Sequence, residues 1–139
     1  MTDHAAGDLA AYIAGALAEV CFGPEEIHPL EATVDRYFAP DYRQRTDGEE
    51  VDRRGFVEHI RALRRCVREG RVEVLEAIQQ GDRIADRHRV SITRWNGSIC
   101  QVEVHLFGEL AADGRLRRVD EVSRVVVGGA DDAELAIIR

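Results

Sequence analysis

Glu121, Arg87 and Arg89 are the side chains of this sequence best suited to do chemistry together. They lie in a stretch, residues 83–127, that reads as three strands joined by turns at Asn96-Gly97 and Asp113-Gly114. Both dipeptides favour two-residue hairpins, whose central residues need positive φ. Such turns predict Trp95 opposite Ser98 and Arg87 opposite Leu106, and in the second hairpin Leu106 opposite Glu121. One face would then carry Arg87, Leu106 and Glu121 in a row across three strands, with Arg89, Val104 and Ser123 in the next row. Burial raises the pKa of a carboxyl and a neighbouring guanidinium lowers it, so the balance can leave a general acid/base useful near neutral pH. Such a group could remove a proton α to a carbonyl. The plainer alternative is a buried ion pair that only fixes sheet geometry. Arg89 could grip a ligand carboxylate or phenolate, or simply reach solvent at a cavity mouth.

The opposite face would carry Asp86, His88, Glu103, His105, Asp120 and Arg124. His88 opposite His105, with acids nearby, is a pattern that could bind zinc. Nothing in the sequence encloses that face, so a surface or interface pair is expected and no metal. The first face, with Ala85, Val102, Val104, Leu106, Leu110, Val119, Val125 and Val127, is the more apolar and is expected inside. His59 and Tyr12 could reach a pocket, though each reads more simply as an edge residue. No Ser-His-Asp spacing, phosphate loop or nucleotide fingerprint occurs.

The elements that must position these residues follow from hydrophobic period. Residues 8–22 place Leu9, Ile13, Ala16, Leu17 and Val20 on one helical face, ended by Gly23-Pro24. A second helix is expected from Pro29 to near Pro40, then a short strand from Tyr42 to Thr46 closed by Asp47-Gly48. The third has Asp52 as N-cap, a stripe of Phe56, Ile60, Leu63 and Val67, and Gly70 as its stop. From Arg71 the period becomes two, with a strand from Val72 to Gln79 and a turn at Gly81-Asp82. Helices first and antiparallel strands after predict an α+β domain spanning 1–139, with its core in 8–127 and a tail in 128–139 that packs on the body or on a partner chain.

Net charge is −7 and all nineteen basic residues are Arg. An acidic chain with scattered arginines argues against nucleic acid as a partner. No apolar run is long enough for a membrane span. The acidic N-terminus does not resemble a secretory signal, so a cytoplasmic location is expected. Cys21, Cys66 and Cys100 fit neither a disulfide framework nor a zinc site.

The segments "YFAPDYRQRTDG", "DRRGFVEHIRALRRCV", "GDRIADRHRVSITRWNG" and "EVHLFGELAADGRLRRVDEVSR", in this order, resemble SnoaL-like proteins. These belong to the superfamily of nuclear transport factor 2, ketosteroid isomerase and limonene epoxide hydrolase. The resemblance covers residues 8–127 and implies a cystatin-like cone: three N-terminal helices packed in a strongly curved, mainly antiparallel sheet, with a pocket at the open end. It also implies a homodimer through the outer sheet face, no cofactor, and a small apolar or carbonyl-bearing ligand. By its pattern, Glu121 matches the general acid/base of the cyclases, and Glu121 with Arg87 matches an acid and an Arg of the epoxide hydrolases. Arg89 stands where those hydrolases carry a second acid, which argues against epoxide hydrolysis. Gln44 and Thr46 stand where they carry Tyr and Asn. Thr46 also lies near the catalytic Asp of ketosteroid isomerases, and Thr cannot act as that base. Tyr42, Gln44, Thr46, Arg89, Val104, Leu106 and Ser123 are the candidate substrate contacts. The implied activity is of the isomerase, cyclase or hydratase type; the alternative is a non-catalytic binding or accessory dimer with a structural Arg87–Glu121 pair.

Overall fold

The computed structural model describes residues 6–129, 132 and 135–138. Three helices, α1 (Ala6–Phe22), α2 (Leu30–Tyr37) and α3 (Arg53–Cys66), accompany six strands. The strands are β1 (Phe38–Thr46), β2 (Glu49–Asp52), β3 (Val67–Gln80), β4 (Arg83–Arg94), β5 (Ile99–Leu110) and β6 (Leu116–Val127). They form one curved sheet in the order β2-β1-β6-β5-β4-β3, in which only β1 and β6 run parallel. This is the expected α+β cone. No helix among the described residues is long and apolar enough to cross a membrane.

The helix α3 starts where its cap chemistry requires. The Asp52 side chain accepts a hydrogen bond from the Gly55 backbone N–H at 2.9 Å, satisfying one of the donors left open at a helix start. Its buried residues include Phe56, Ile60 and Leu63, and Phe56 joins Phe38 and Tyr42 in an aromatic cluster with centroids 4.7–5.0 Å apart. That cluster fastens the helix to β1.

The helix ends at Cys66, earlier than the Gly70 stop expected from sequence. Gly70 lies inside β3 instead, where a Cβ would come within 2.5 Å of the Phe22 ring. Its role is a close approach between β3 and α1, not a cap. Gly70→Ala should therefore cost about 1–3 kcal/mol by overpacking, read as a lowered urea midpoint with unchanged slope.

Both long hairpins differ from expectation in the same way. The β4–β5 loop has three residues, Trp95, Asn96 and Gly97, closed by Arg94 N–H donating to the Ser98 carbonyl at 2.9 Å. Gly97 has φ 87°, the left-handed third position of a three-residue loop. The β5–β6 loop repeats this with Ala112, Asp113 and Gly114, where Gly114 has φ 89°. In that second hairpin a bulge follows at once, with Leu110 opposite Leu116 but Glu109 opposite Arg118. The bulge absorbs the extra residue, so Leu106 still meets Glu121. The β4–β5 ladder has no such correction, and β4 is slipped by one residue.

A one-residue slip exchanges the two faces of a strand. Ile84, Asp86, His88 and Ile92 are consequently buried on the concave side, and Arg87 and Arg89 point outward. Beyond Gly128-Gly129, Leu135 is 7% exposed and packs into the core, so this part of the tail lies on the body.

Candidate functional site

The register aligns one row of side chains across four strands of the concave face. Thr46 on β1 lies beside Glu121 on β6, Glu121 opposite Leu106 on β5, and Leu106 opposite Asp86 on β4. The next row holds Ser123, Val104 and His88. Curvature turns these rows inward over a cavity of about 120 Å³. Tyr42, Gln44, Thr46, Val104, Leu106, Glu121 and Ser123 line it, and so do His59, His88 and Leu135. The walls are otherwise mostly apolar, and the volume suits a few waters or one small ring.

Glu121 is held from β1. The Thr46 hydroxyl donates to its Oε1 at 2.8 Å, and the Asp47 backbone N–H donates to its carbonyl at 3.0 Å. By surface area Glu121 is half-buried, but the surface it keeps includes cavity wall. Burial pushes its carboxyl above the ordinary value of 4.5; the charge of His88 and the Thr46 bond pull it back, while Asp86 and Asp47 add to the rise. A carboxyl raised in this way is suited to hold and release a proton nearer neutrality.

His88 and Asp86 form the second polar unit. His88 Nδ1 lies 2.7 Å from Asp86 Oδ1, and both residues are buried, at 3% and 7% exposure. The other Asp86 oxygen, Oδ2, is enclosed with no hydrogen-bond partner among the described residues.

The remaining polar groups of the cavity are occupied or inert. Tyr42 donates to Gln44 Oε1 at 2.8 Å, and burial, with the nearby Glu121 charge, keeps its phenol protonated. The Ser123 hydroxyl bonds the Asp47 carboxylate. His59 Nδ1 bonds the Ile138 carbonyl. Burial pushes the Cys21 thiol up to about 12, so it is no nucleophile.

A SnoaL-like domain model matches residues 28–119. The chain is 32% identical over 103 residues to the uncharacterized protein C11D3.04c of Schizosaccharomyces pombe (strain 972), covering 74% of this chain and 78% of that one. The chain belongs to the SnoaL-like family. Solved structures of similar fold include wild-type IdmH, a proposed polyketide cyclase from Streptomyces antibioticus, with TM-score 0.64 and 18% identity over 82% of this chain and 91% of that one. A proposed SnoaL-like polyketide cyclase from Jannaschia Sp. CCS1 gives TM-score 0.62 and 13% identity, covering 99% and 97% of the two chains. AclR, a proposed hydroxylase from Streptomyces galilaeus, gives TM-score 0.62 and 16% identity, covering 83% and 76%.

In this SnoaL-like chain the expected Arg87–Glu121 juxtaposition does not form. Arg87 lies opposite His105, and its guanidinium bonds Glu76 at 3.2 Å and Glu103 at 3.4 Å on the outer face. Arg89 lies opposite Glu103 and bonds it at 3.5 Å. Arg124 at 3.8 Å and His105 at 3.3 Å complete a cluster around that one carboxylate. Burial opposes the charge of Glu103, but the bonds from Arg87 and Arg89 hold its carboxyl below the usual range. The expected His88–His105 pair is also absent: His88 faces Val104 inside, and His105 is outside. Among the described residues no group of three or more His, Cys, Asp or Glu is arranged to hold a metal.

Sequence reasoning missed Asp86 and His88 as site residues, although β4 carries the signal itself. Its even positions read Ile84, Asp86, His88, Val90, Ile92, and its odd positions Ala85, Arg87, Arg89, Ser91, Thr93. The larger apolar residues are on the even side. Buried on that side, they demand a loop one residue longer, which Trp95-Asn96-Gly97 also satisfies.

Proposed function

We propose that this SnoaL-like protein binds a small, mostly apolar molecule bearing an oxygen function and moves a proton on it, as isomerases, cyclases and hydratases do, with Glu121 as general acid/base. The observation that carries this reading is Glu121 itself: a carboxyl raised by burial, lining an apolar cavity, its Oε1 fixed by Thr46. The polyketide-cyclase names of IdmH and the Jannaschia protein are consistent with the same class of chemistry. The test is solvent exchange of α-protons on cyclopentanone or acetylacetone in D2O, followed by NMR. Wild-type protein should accelerate exchange and Glu121→Gln should not; equal rates for the two would remove Glu121 from the chemistry.

Arg87 has no part in this reading, because its side chain faces away from the cavity. Arg87→Ala should leave the exchange rate within about twofold of wild type. A rate lost with Arg87 would instead restore it to the site.

The outer sheet face is the proposed homodimer surface. Ile78, Phe107 and Val122 are 70%, 72% and 56% exposed there, and the Glu103 cluster lies on the same face. Phe107→Asp should convert a sedimenting dimer to monomer; a wild-type monomer at tens of micromolar would contradict it.

The small cavity favours a second reading, a binding or accessory module. Leu135 is 7% exposed and forms part of the cavity wall, leaving about 120 Å³. On that reading ligands bind and Glu121→Gln changes affinity with no turnover to lose.

A further inference from the structure

A general acid/base needs a counterpart, because a proton taken from carbon must be matched by one given to oxygen. Two imidazoles line the cavity, His59 and His88, each with Nδ1 against an acceptor oxygen; His88 is the one backed by a carboxylate and set on the sheet in the row beside Glu121. An ionised carboxylate only accepts hydrogen bonds, so the 2.7 Å contact between His88 and Asp86 requires the proton on Nδ1. The neutral ring then has its lone pair on Nε2, the tautomer of a base. His88 belongs to the cavity lining, whereas the Asp86 side chain is enclosed and is not part of that lining. Across the sheet, Glu121 is arranged in the opposite sense. Its Oε1 receives the Thr46 hydroxyl, so the proton of the neutral acid belongs on Oε2. His88 and Glu121 stand on adjacent rows, two strands apart.

We propose that His88 Nε2 is the base of this cavity, Glu121 its acid and Asp86 a positioning residue, and that the ligand is a small enolisable carbonyl compound. The proposal rests on the proton-transfer reading given above and assigns its direction. In the step, the C–H bond α to the carbonyl breaks and its proton goes to His88 Nε2. The electron pair left on carbon forms the C=C bond, and the carbonyl π pair takes the proton from Glu121 Oε2. The products are an enol, an imidazolium facing Asp86, and the Glu121 carboxylate. The two new charges attract, so each transfer favours the other. Reversal with delivery to a different carbon gives an isomerisation, and attack of the enol on a second carbonyl gives a cyclisation. Neither outcome requires an oxidant or reductant.

The test uses the full-length protein with labelled histidine nitrogens, and the same cyclopentanone and acetylacetone exchange in D2O. Neutral His88 should carry its proton on Nδ1. In Asp86→Asn that tautomer should lose its dominance, and exchange should fall about 100-fold with KM little changed. His88→Gln should bring exchange to the buffer rate. A neutral wild-type ring protonated on Nε2 overturns the assignment without any variant, so misfolding of Asp86→Asn cannot protect it. Exchange that survives His88→Gln but not Glu121→Gln overturns His88 as base and leaves Glu121 in place. Exchange absent from the wild-type protein overturns the proton-transfer reading itself.

Discussion

Glu121→Gln is expected to make this protein inactive and more stable at neutral pH in a single substitution. The loss of rate should be at least about 100-fold, the usual contribution of a positioned acid or base. The gain in stability follows from the direction of its shift. The folded-state pKa is raised above the ordinary 4.5, with burial as the largest cause. Between 4.5 and that raised value the folded state binds more protons than the unfolded state. Stability contributed by this carboxyl is therefore fully present below 4.5 and is lost as pH rises through the folded pKa. Gln carries no charge, can still accept the Thr46 hydrogen bond, and escapes the loss. The difference in Tm between variant and wild type should be positive at pH 7 and shrink toward zero in acid. A variant less stable than wild type at every pH would mean that the carboxylate is paired, not strained.

His88→Ala should be strongly destabilising. It would leave Asp86, enclosed and 7% exposed, with neither carboxylate oxygen bonded. Breaking a buried pair from one side costs about 3–5 kcal/mol, because the remaining charge is stranded. Replacing both residues, Asp86→Leu with His88→Leu, should recover most of that loss by removing the stranded charge. A denaturant double-mutant cycle measures the coupling, and additive losses would show that the pair is not a unit. The outer pair of Arg87 with Glu76 offers the contrast. Glu76 is 70% exposed there, so Glu76→Ala should change stability by about 0–1 kcal/mol.

These expectations depend on a register that the sequence states only in part. Most elements were legible because they are marked locally: Asp52 caps α3, Gly81-Asp82 turns β3 into β4, and the apolar periods separate helix from strand, but the short polar strand β2 was not expected. The β5–β6 register was also legible, though for an incomplete reason. A loop one residue longer than expected and a bulge at Arg117 cancel, so Glu121 stayed opposite Leu106. The β4–β5 register was not, because Asn-Gly serves a two-residue turn and the last two positions of a three-residue loop equally well. Only the burial preference of β4, with Ile84, Val90 and Ile92 on one side, distinguishes them. A slip of one residue there replaced Arg87 and Arg89 in the site with Asp86 and His88. Thr46 was placed by its family position, and its contact with Glu121 depends on the parallel β1–β6 pairing, which no turn chemistry marks. Gly70 resembled a helix stop because its tertiary neighbour, Phe22, is far away in sequence.

The partner of Glu121 is thus the central question, and titration of its carboxyl by NMR addresses it most directly. In wild-type protein the midpoint should lie above 4.5. It should rise further in His88→Gln, which removes the imidazole whose protonated form pulls it down, and should not move in Arg87→Ala. A midpoint at or below 4.5 that rises in Arg87→Ala and ignores His88→Gln would contradict the register and the site built on it.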